Sequence, residues 1–286
     1  MKVGFNMLLW TTHVTKEHLP LLKTLKKVGY DGVEIPIFGG DTAHFEKIGK
    51  AIKDNGLACT SVTVIPDEQR NPISADAKCR KQAVEYLKWA IDCSQAMCSE
   101  VLCGPIYQPL GMFSGKPPTE QEKRRAADVH RKAAKFAAKA NLVLAVEFLN
   151  RFECYFLNTM ADAAAYVKRV NHRSVGVLFD TFHANIEEKD PVGCISKHIK
   201  AIKHVHISEN DRGAPGKGHI DWPATFKALR SGGYDDWLVI EAFGRALPDL
   251  AAATKVWRDF FARQEDVYKY GLKFIRKQWK AAGQCK

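Results

Sequence analysis

The sequence of 286 residues has no apolar run near the ~18 residues that a membrane-spanning helix requires. Leu142-Val143-Leu144-Ala145-Val146 is typical of its longest, so no membrane partner is expected. Asn6 interrupts the apolar residues of Met1–Trp10 and no small-residue cleavage site follows, so no secretory signal is expected either. The eight cysteines include no CxxC pair. Cys93, Cys98 and Cys103 lie five apart, a spacing that suits neither a zinc knuckle nor a helix face. They read as small buried hydrophobes in a reducing compartment, which predicts a cytoplasmic protein. Thr11-Thr12-His13 stands after the first candidate strand where a doubly wound nucleotide-binding sheet would carry a glycine-rich turn. No stretch reads as a linker, a low-complexity segment or an internal repeat.

What is present is a globular composition, 46% hydrophobic and 26% charged. The net charge of +11 comes from 43 Lys and Arg against 32 Asp and Glu, mixed along the helical segments. The densest stretches are Lys123-Arg124-Arg125 and Lys269–Lys280. They read as solvated helix faces, and no nucleic-acid partner is expected.

Short β-branched runs alternate with amphipathic ones. Candidate strands are Val3–Leu9, Gly32–Pro36, Ala58–Ile65, Glu100–Gly104, Leu142–Phe148, Gly176–Asp180, His204–Ser208 and Leu238–Ala242. Apolar spacings of three and four predict helices between them, among them Ala77–Met97, Glu120–Ala140, Thr159–Val170, Pro191–Ile199, Trp222–Ser231 and Pro248–Ala262. Eight βα units in a chain of this length predict an α/β fold, a (β/α)8 TIM barrel formed as one domain over residues 1–286. Residues 265–280 are expected to add one more helix outside the eight units.

The last four strands each carry a metal-binding type of residue toward their ends: Glu147, Asp180, His206 and Glu241. They lie 33, 26 and 35 residues apart, yet in a barrel all strand ends converge on one mouth. A charge at the end of an apolar strand is costly unless paired or coordinated. Two Glu, one Asp and one His without a thiolate suit Mn²⁺, Mg²⁺ or Co²⁺ better than zinc. His204 is expected to point to the opposite side of its strand from His206, as a structural histidine. Polar residues follow in the adjoining loops: Asn150, Arg151 and Glu153, then His183 and Asn185, then Glu209, Asn210, Asp211 and Arg212. Phe5, Trp10, Tyr107, Phe113 and Phe243 are candidate aromatics of the mouth.

Four segments carry a resemblance. They are Val146-Glu147-Phe148-Leu149-Asn150-Arg151-Phe152-Glu153, Asp180-Thr181-Phe182-His183-Ala184-Asn185-Ile186-Glu187-Glu188, His204-Val205-His206-Ile207-Ser208-Glu209-Asn210-Asp211-Arg212 and Gly216-Lys217-Gly218-His219-Ile220-Asp221-Trp222. In this order they resemble the ketose 3-epimerases of the xylose-isomerase-like barrel superfamily, which include D-tagatose, D-psicose (D-allulose) and L-ribulose 3-epimerases. The likeness spans essentially the whole chain. It implies that Glu147, Asp180, His206 and Glu241 bind one divalent ion per subunit, Mn²⁺ foremost with Co²⁺ or Mg²⁺ as alternatives. It makes Glu147 and Glu241 the catalytic pair, which removes a proton at C3 of a ketose and returns it through a cis-enediolate. Glu153, His183 and Arg212 would hold the sugar's carbonyl end and O2; of the candidate mouth aromatics, Phe5, Tyr107 and Phe243 are expected, from their positions rather than from the likeness, to contact it. The likeness further implies a homodimer or homotetramer. One departure stands out: family members often place a Trp after the fourth strand, and Cys103-Gly104-Pro105-Ile106-Tyr107-Gln108-Pro109 has none.

Three other functions stay in view. Another barrel enzyme of the superfamily, such as an aldose–ketose or hydroxypyruvate isomerase or an inosose dehydratase, would share the mouth. A two-metal hydride-shift isomerase, though, needs more carboxylates than these four. An abasic-site endonuclease would suit the positive charge, but its three zinc ions need more ligands than Glu34, His44 and His219 add. A non-catalytic sugar-binding barrel has no sequence feature in its favour.

Overall fold

The computed structural model describes residues 1–284. The β-branched runs form eight strands: β1 (Lys2–Asn6), β2 (Gly32–Pro36), β3 (Ala58–Val62), β4 (Val101–Gly104), β5 (Val143–Glu147), β6 (Val175–Asp180), β7 (Ile202–Ile207) and β8 (Trp237–Ile240). They pair in parallel in chain order, and β8 closes onto β1, so no edge strand is left. The helices are α1 (Leu19–Val28), α2 (Thr42–Asp54), α3 (Ala77–Ala96), α4 (Glu120–Lys139), α5 (Met160–Val170), α6 (Thr181–Glu187), α7 (Gly193–His198), α8 (Trp222–Ser231), α9 (Pro248–Ala253) and α10 (Gln264–Ala282). The predicted TIM barrel and its extra C-terminal helix are both present.

Local signals fix the helix ends. Thr119 and Glu122 exchange hydrogen bonds in a capping box that starts α4. Thr159 and Asp162 do the same for α5. Gly29 ends α1 in the left-handed region at φ 113°, where a side chain would be strained. None of the described helices is long and apolar enough to cross a membrane.

The apolar side chains divide into two sets. One fills the layer between barrel and helices; the other, including Val62, Val101, Ala145, Leu178, Trp237 and Val239, fills the barrel itself. Trp237 forms the barrel floor. Its ring passes so close to Gly32 that a Cβ there would lie 2.4 Å from Cη2. Among the described cysteines none is paired: Cys59, Cys93, Cys103, Cys154 and Cys194 are buried, Cys79 is half-buried and Cys98 is exposed. Cys285 lies outside the described residues.

Several expectations need correction. The helix over Pro248–Ala262 stops at Ala253. Lys255 takes a left-handed φ of 59°, and the chain turns so that Val256 packs into the barrel set. The first strand ends at Asn6, whose side chain accepts the Leu8 N–H at 2.9 Å and turns the chain. His204 does not oppose His206. Residues two apart on a strand share a face, and both imidazoles point into the barrel, where each meets Glu34.

Candidate active site

Glu147 ends β5, Asp180 ends β6 and caps α6, His206 lies one residue from the end of β7, and Glu241 directly follows β8. Closure of the barrel brings one ligand atom from each to within 4.8 Å of all the others, and all four residues are buried. His206 Nδ1 lies 3.6 Å from Asp180 Oδ2 and 3.5 Å from Glu241 Oε1. It is buried and makes no hydrogen bond. An orphaned imidazole nitrogen aimed at two carboxylates is what a cation would satisfy. The charge count agrees. With all three carboxylates ionised and the imidazole neutral, as a bound cation would hold them, the Arg212 guanidinium leaves two negative charges for a divalent ion to balance. Oxygen donors with one imidazole fit a hard or borderline ion.

Arg212 reaches the cluster from the loop after β7. Its backbone is held in the left-handed region at φ 64°, where its N–H bonds Glu209 O and its C=O accepts from Phe243 N. The guanidinium packs on the rings of Phe182 and Phe243, at 4.0 and 4.9 Å. Nη1 donates to Glu241 Oε2 at 2.5 Å and to Asp180 Oδ2 at 3.1 Å. Nη2 lies 2.9 Å from His183 Nε2. The Glu209 carboxylate anchors the same loop, accepting from Gly216 N at 2.7 Å and Trp222 Nε1 at 2.8 Å.

These neighbours push the titrating groups apart. Burial, reinforced by Glu241 and Asp180, holds the Glu147 carboxyl well above the usual carboxylate range. Burial also acts to raise Asp180, but Arg212 and His206 outweigh it and Asp180 is held down. Burial and the Arg212 charge push His183 down to about 3, so its ring is neutral at physiological pH. Burial raises Glu153, against the pull of Arg212. A bound divalent ion would favour the ionised carboxylates and reverse the direction at Glu147.

The mouth holds a cavity of about 210 Å³. That is below the ~300–1,000 Å³ typical for drug-sized ligands and suits a smaller molecule. Glu147, Glu153, His183, Arg212, Glu241 and Phe243 all line it. The amide of Asn150 orients two of them, donating to Glu153 Oε1 at 2.7 Å and approaching His183 Nδ1 at 3.1 Å. Phe5 and Tyr107 are not brought there. Phe5 alternates with the inward Asn6 and so faces the helices, 5.0 Å from Trp10 and 5.5 Å from Tyr30. Tyr107 is fully buried behind the mouth, its ring 5.4 Å from Phe156 and its hydroxyl 3.2 Å from Cys154 Sγ. Phe113 is half exposed to solvent on the loop after β4.

A second polar layer lies beneath the cluster and was not anticipated as a unit. Glu34 from β2 is fully buried and accepts from His206 Nε2 and His204 Nε2, each at 2.7 Å. Asn6, Thr60 and Cys103 complete it. The available signal was parity: Asn6, Glu34, Thr60 and Cys103 fall on the inward-facing positions of β1–β4, and His204 shares a face with His206.

Three comparisons with known proteins agree. A family model described as a xylose isomerase-like TIM barrel matches residues 22–278. A probable ketose 3-epimerase of Synechocystis sp. is 30% identical over 279 residues, covering 98% of this chain and 97% of its own. A solved L-ribulose 3-epimerase superposes with a TM-score of 0.92 at 28% identity, covering 99% of this chain and 96% of that one. A solved D-psicose 3-epimerase of Clostridium cellulolyticum, crystallised with D-tagatose, gives 0.89 at 27% identity, covering 98% and 99%.

Proposed function

The chain belongs to the xylose isomerase-like TIM barrel family, and on that premise we propose that it is a metal-dependent ketose 3-epimerase. The substrates are free ketoses, in the pairs D-fructose/D-psicose, D-tagatose/D-sorbose and L-ribulose/L-xylulose. The observation that carries this reading is the convergence of Glu147, Asp180, His206 and Glu241, two of which, Glu147 and Glu241, line a small cavity.

Inverting C3 requires a proton to leave one face of the carbon and another to arrive on the opposite face. Two carboxyl groups are therefore needed, one as base and one as acid, with roles exchanged in the reverse reaction. Glu147 and Glu241 are the pair. When bound, the divalent ion, Mn²⁺ foremost, supplies Lewis-acid stabilisation of the negative charge that builds on the substrate oxygens. Arg212, with neutral His183, donates hydrogen bonds to the carbonyl end of the sugar, and Glu153 accepts one from a hydroxyl. Phe243 covers the site and excludes water. The enzyme acts in the cytoplasm, where the thiols of the described cysteines stay reduced, as a homodimer or homotetramer, a choice to be read by light scattering.

The test is NMR of D-fructose, D-psicose and D-tagatose with Mn²⁺-loaded protein in D₂O, beside a metal-stripped control. Deuterium at C3 with interconversion of C3 epimers, only with metal, is expected. Exchange at C1 instead would replace the reading with an aldose–ketose isomerase.

A further inference from the structure

Glu34 takes no part in the chemistry above, yet it is a fully buried carboxylate in the middle of the barrel. Burying a charge is costly unless every oxygen is satisfied. Here each one is. Oε1 accepts from Asn6 Nδ2 at 2.9 Å and from His206 Nε2 at 2.7 Å. Oε2 accepts from Thr60 Oγ1 at 2.9 Å and from His204 Nε2 at 2.7 Å, with Cys103 Sγ 3.3 Å away. A carboxylate offers about four acceptor sites, and these donors fill them. A group so surrounded accepts only. The two histidines must therefore both present an N–H at Nε2.

That requirement sets which tautomer His206 adopts when its ring is neutral, the form that can bind a cation. A neutral imidazole carrying its proton on Nε2 has its lone pair on Nδ1. Nδ1 is the atom left without a partner, facing Asp180 and Glu241. We propose that Glu34 is a positioning residue that commits His206 to bind the divalent ion through Nδ1, by locking both the tautomer and the ring orientation. Through Asn6, whose Nδ2 also reaches Glu241 Oε1 at 3.2 Å, the same carboxylate steadies a second ligand. This rests on the metal-site reading above. Glu34, Cys103, His204 and His206 also lie close enough to hold an ion themselves, but Glu34 already occupies both Nε2 atoms. The lower cluster supports the metal site and is not a second one.

The experiment is Mn²⁺ titration of metal-stripped protein by calorimetry, with the visible spectrum of the Co²⁺ form as a second readout. Glu34→Gln keeps the shape but replaces one acceptor oxygen by a donor amide, so one histidine bond must break. A 10–100-fold loss of Mn²⁺ affinity and an altered Co²⁺ spectrum are expected, with an unchanged circular dichroism spectrum. Thr60→Val removes a donor to the same carboxylate but leaves both histidine bonds, and should stay close to wild type. The proposal is overturned if folded Glu34→Gln binds Mn²⁺ as wild type does, if Thr60→Val loses as much, or if wild type takes up two ions per chain. If Glu34→Gln does not fold, ¹⁵N NMR of the wild-type imidazoles in the Zn²⁺ form decides. The proton of His206 is expected on Nε2 and the metal on Nδ1, and the reverse assignment overturns the idea. A wild-type protein that binds no Mn²⁺ would bring down the metal-site reading itself, an outcome distinct from the others.

Discussion

Strands β1–β4 and strands β5–β8, with the loops that follow them, enclose one cavity whose charged lining all comes from the second half. The second half supplies Glu147, Asp180, His206 and Glu241 at its strand ends, and Glu153, His183 and Arg212 just beyond. The first half lines the same cavity with Leu8, Phe38, Val62, Val64, Pro105 and Leu110, and sends its polar side chains Asn6, Glu34, Thr60 and Cys103 below. The strands are alike in length and pairing, so the difference lies in which inward positions near the mouth are polar. A ketose in this cavity would meet reacting groups on one side and an apolar wall on the other. On the proposed function, remote binding and proton transfer would fall to different halves.

The largest effect should fall on the reacting half. Glu147→Gln and Glu241→Gln each remove one carboxylate from the pair and keep its shape. Turnover, followed as deuterium entry at C3, should fall by about 10²–10⁴-fold while the fold is retained. Substantial activity in either variant would end the two-carboxylate scheme and with it the division of labour.

The strongest sequence signals belong to the reacting half. A carboxylate after Leu142–Val146 or after Val175–Phe179 is conspicuous because a five-residue apolar run has no cheap way to end in a charge. Chain order and closure then place those residues together. The first half is quieter. Glu34 sits in Gly32-Val33-Glu34-Ile35-Pro36 with no neighbour in sequence to name its two histidine partners, which arrive from β7 some 170 residues later. Its apolar wall is built of residue types that also fill cores, so nothing marks it. Parity would have excluded Phe5 from the mouth, since Asn6 points inward, and would have joined His204 to His206. Tyr107 lies on a loop, where no period applies. The end of α9 at Ala253 depends on a left-handed Lys255, a residue type that does not announce a turn.

The next two tests concern how the halves are joined. His130 on α4 bridges them. Its Nε2 donates to Ile106 O after β4 at 3.0 Å, and its Nδ1 meets the Tyr166 hydroxyl on α5. Burial pushes its pKa from 6.5 down to about 4. Below pH 6.5 the unfolded chain therefore binds a proton that the folded one does not, and stability drains away as the pH falls toward 4. The loss at the acid end is roughly 3 kcal/mol from this residue. His130→Gln should remove that part of the slope in urea midpoints measured between pH 7 and 4; an unchanged slope would remove His130 from the account. At the floor, Trp237 of β8 sits in space left by Gly32 of β2. A Cβ on residue 32 would also lie 2.5 Å from the Ala58 carbonyl oxygen, which as backbone has little room to move. Gly32→Ala should cost about 1–3 kcal/mol in thermal or urea unfolding. A neutral result would mean that the two halves meet at the floor with slack.

The smallest effect is expected on the apolar wall, and it is the most direct test of the comparison. Phe38 is 36% exposed and lines the cavity from the loop after β2. If it touches only the part of the sugar remote from C2 and C3, the contact is the same before and during proton transfer. Such uniform binding affects KM and leaves kcat alone. Partial burial of one aromatic ring is worth about 1 kcal/mol, so Phe38→Ala should raise KM roughly 5-fold with kcat and melting temperature near wild type. A fall in kcat as large as the rise in KM would show that the wall holds the sugar in its reacting position. The chemistry would then belong to both halves of the barrel rather than to β5–β8.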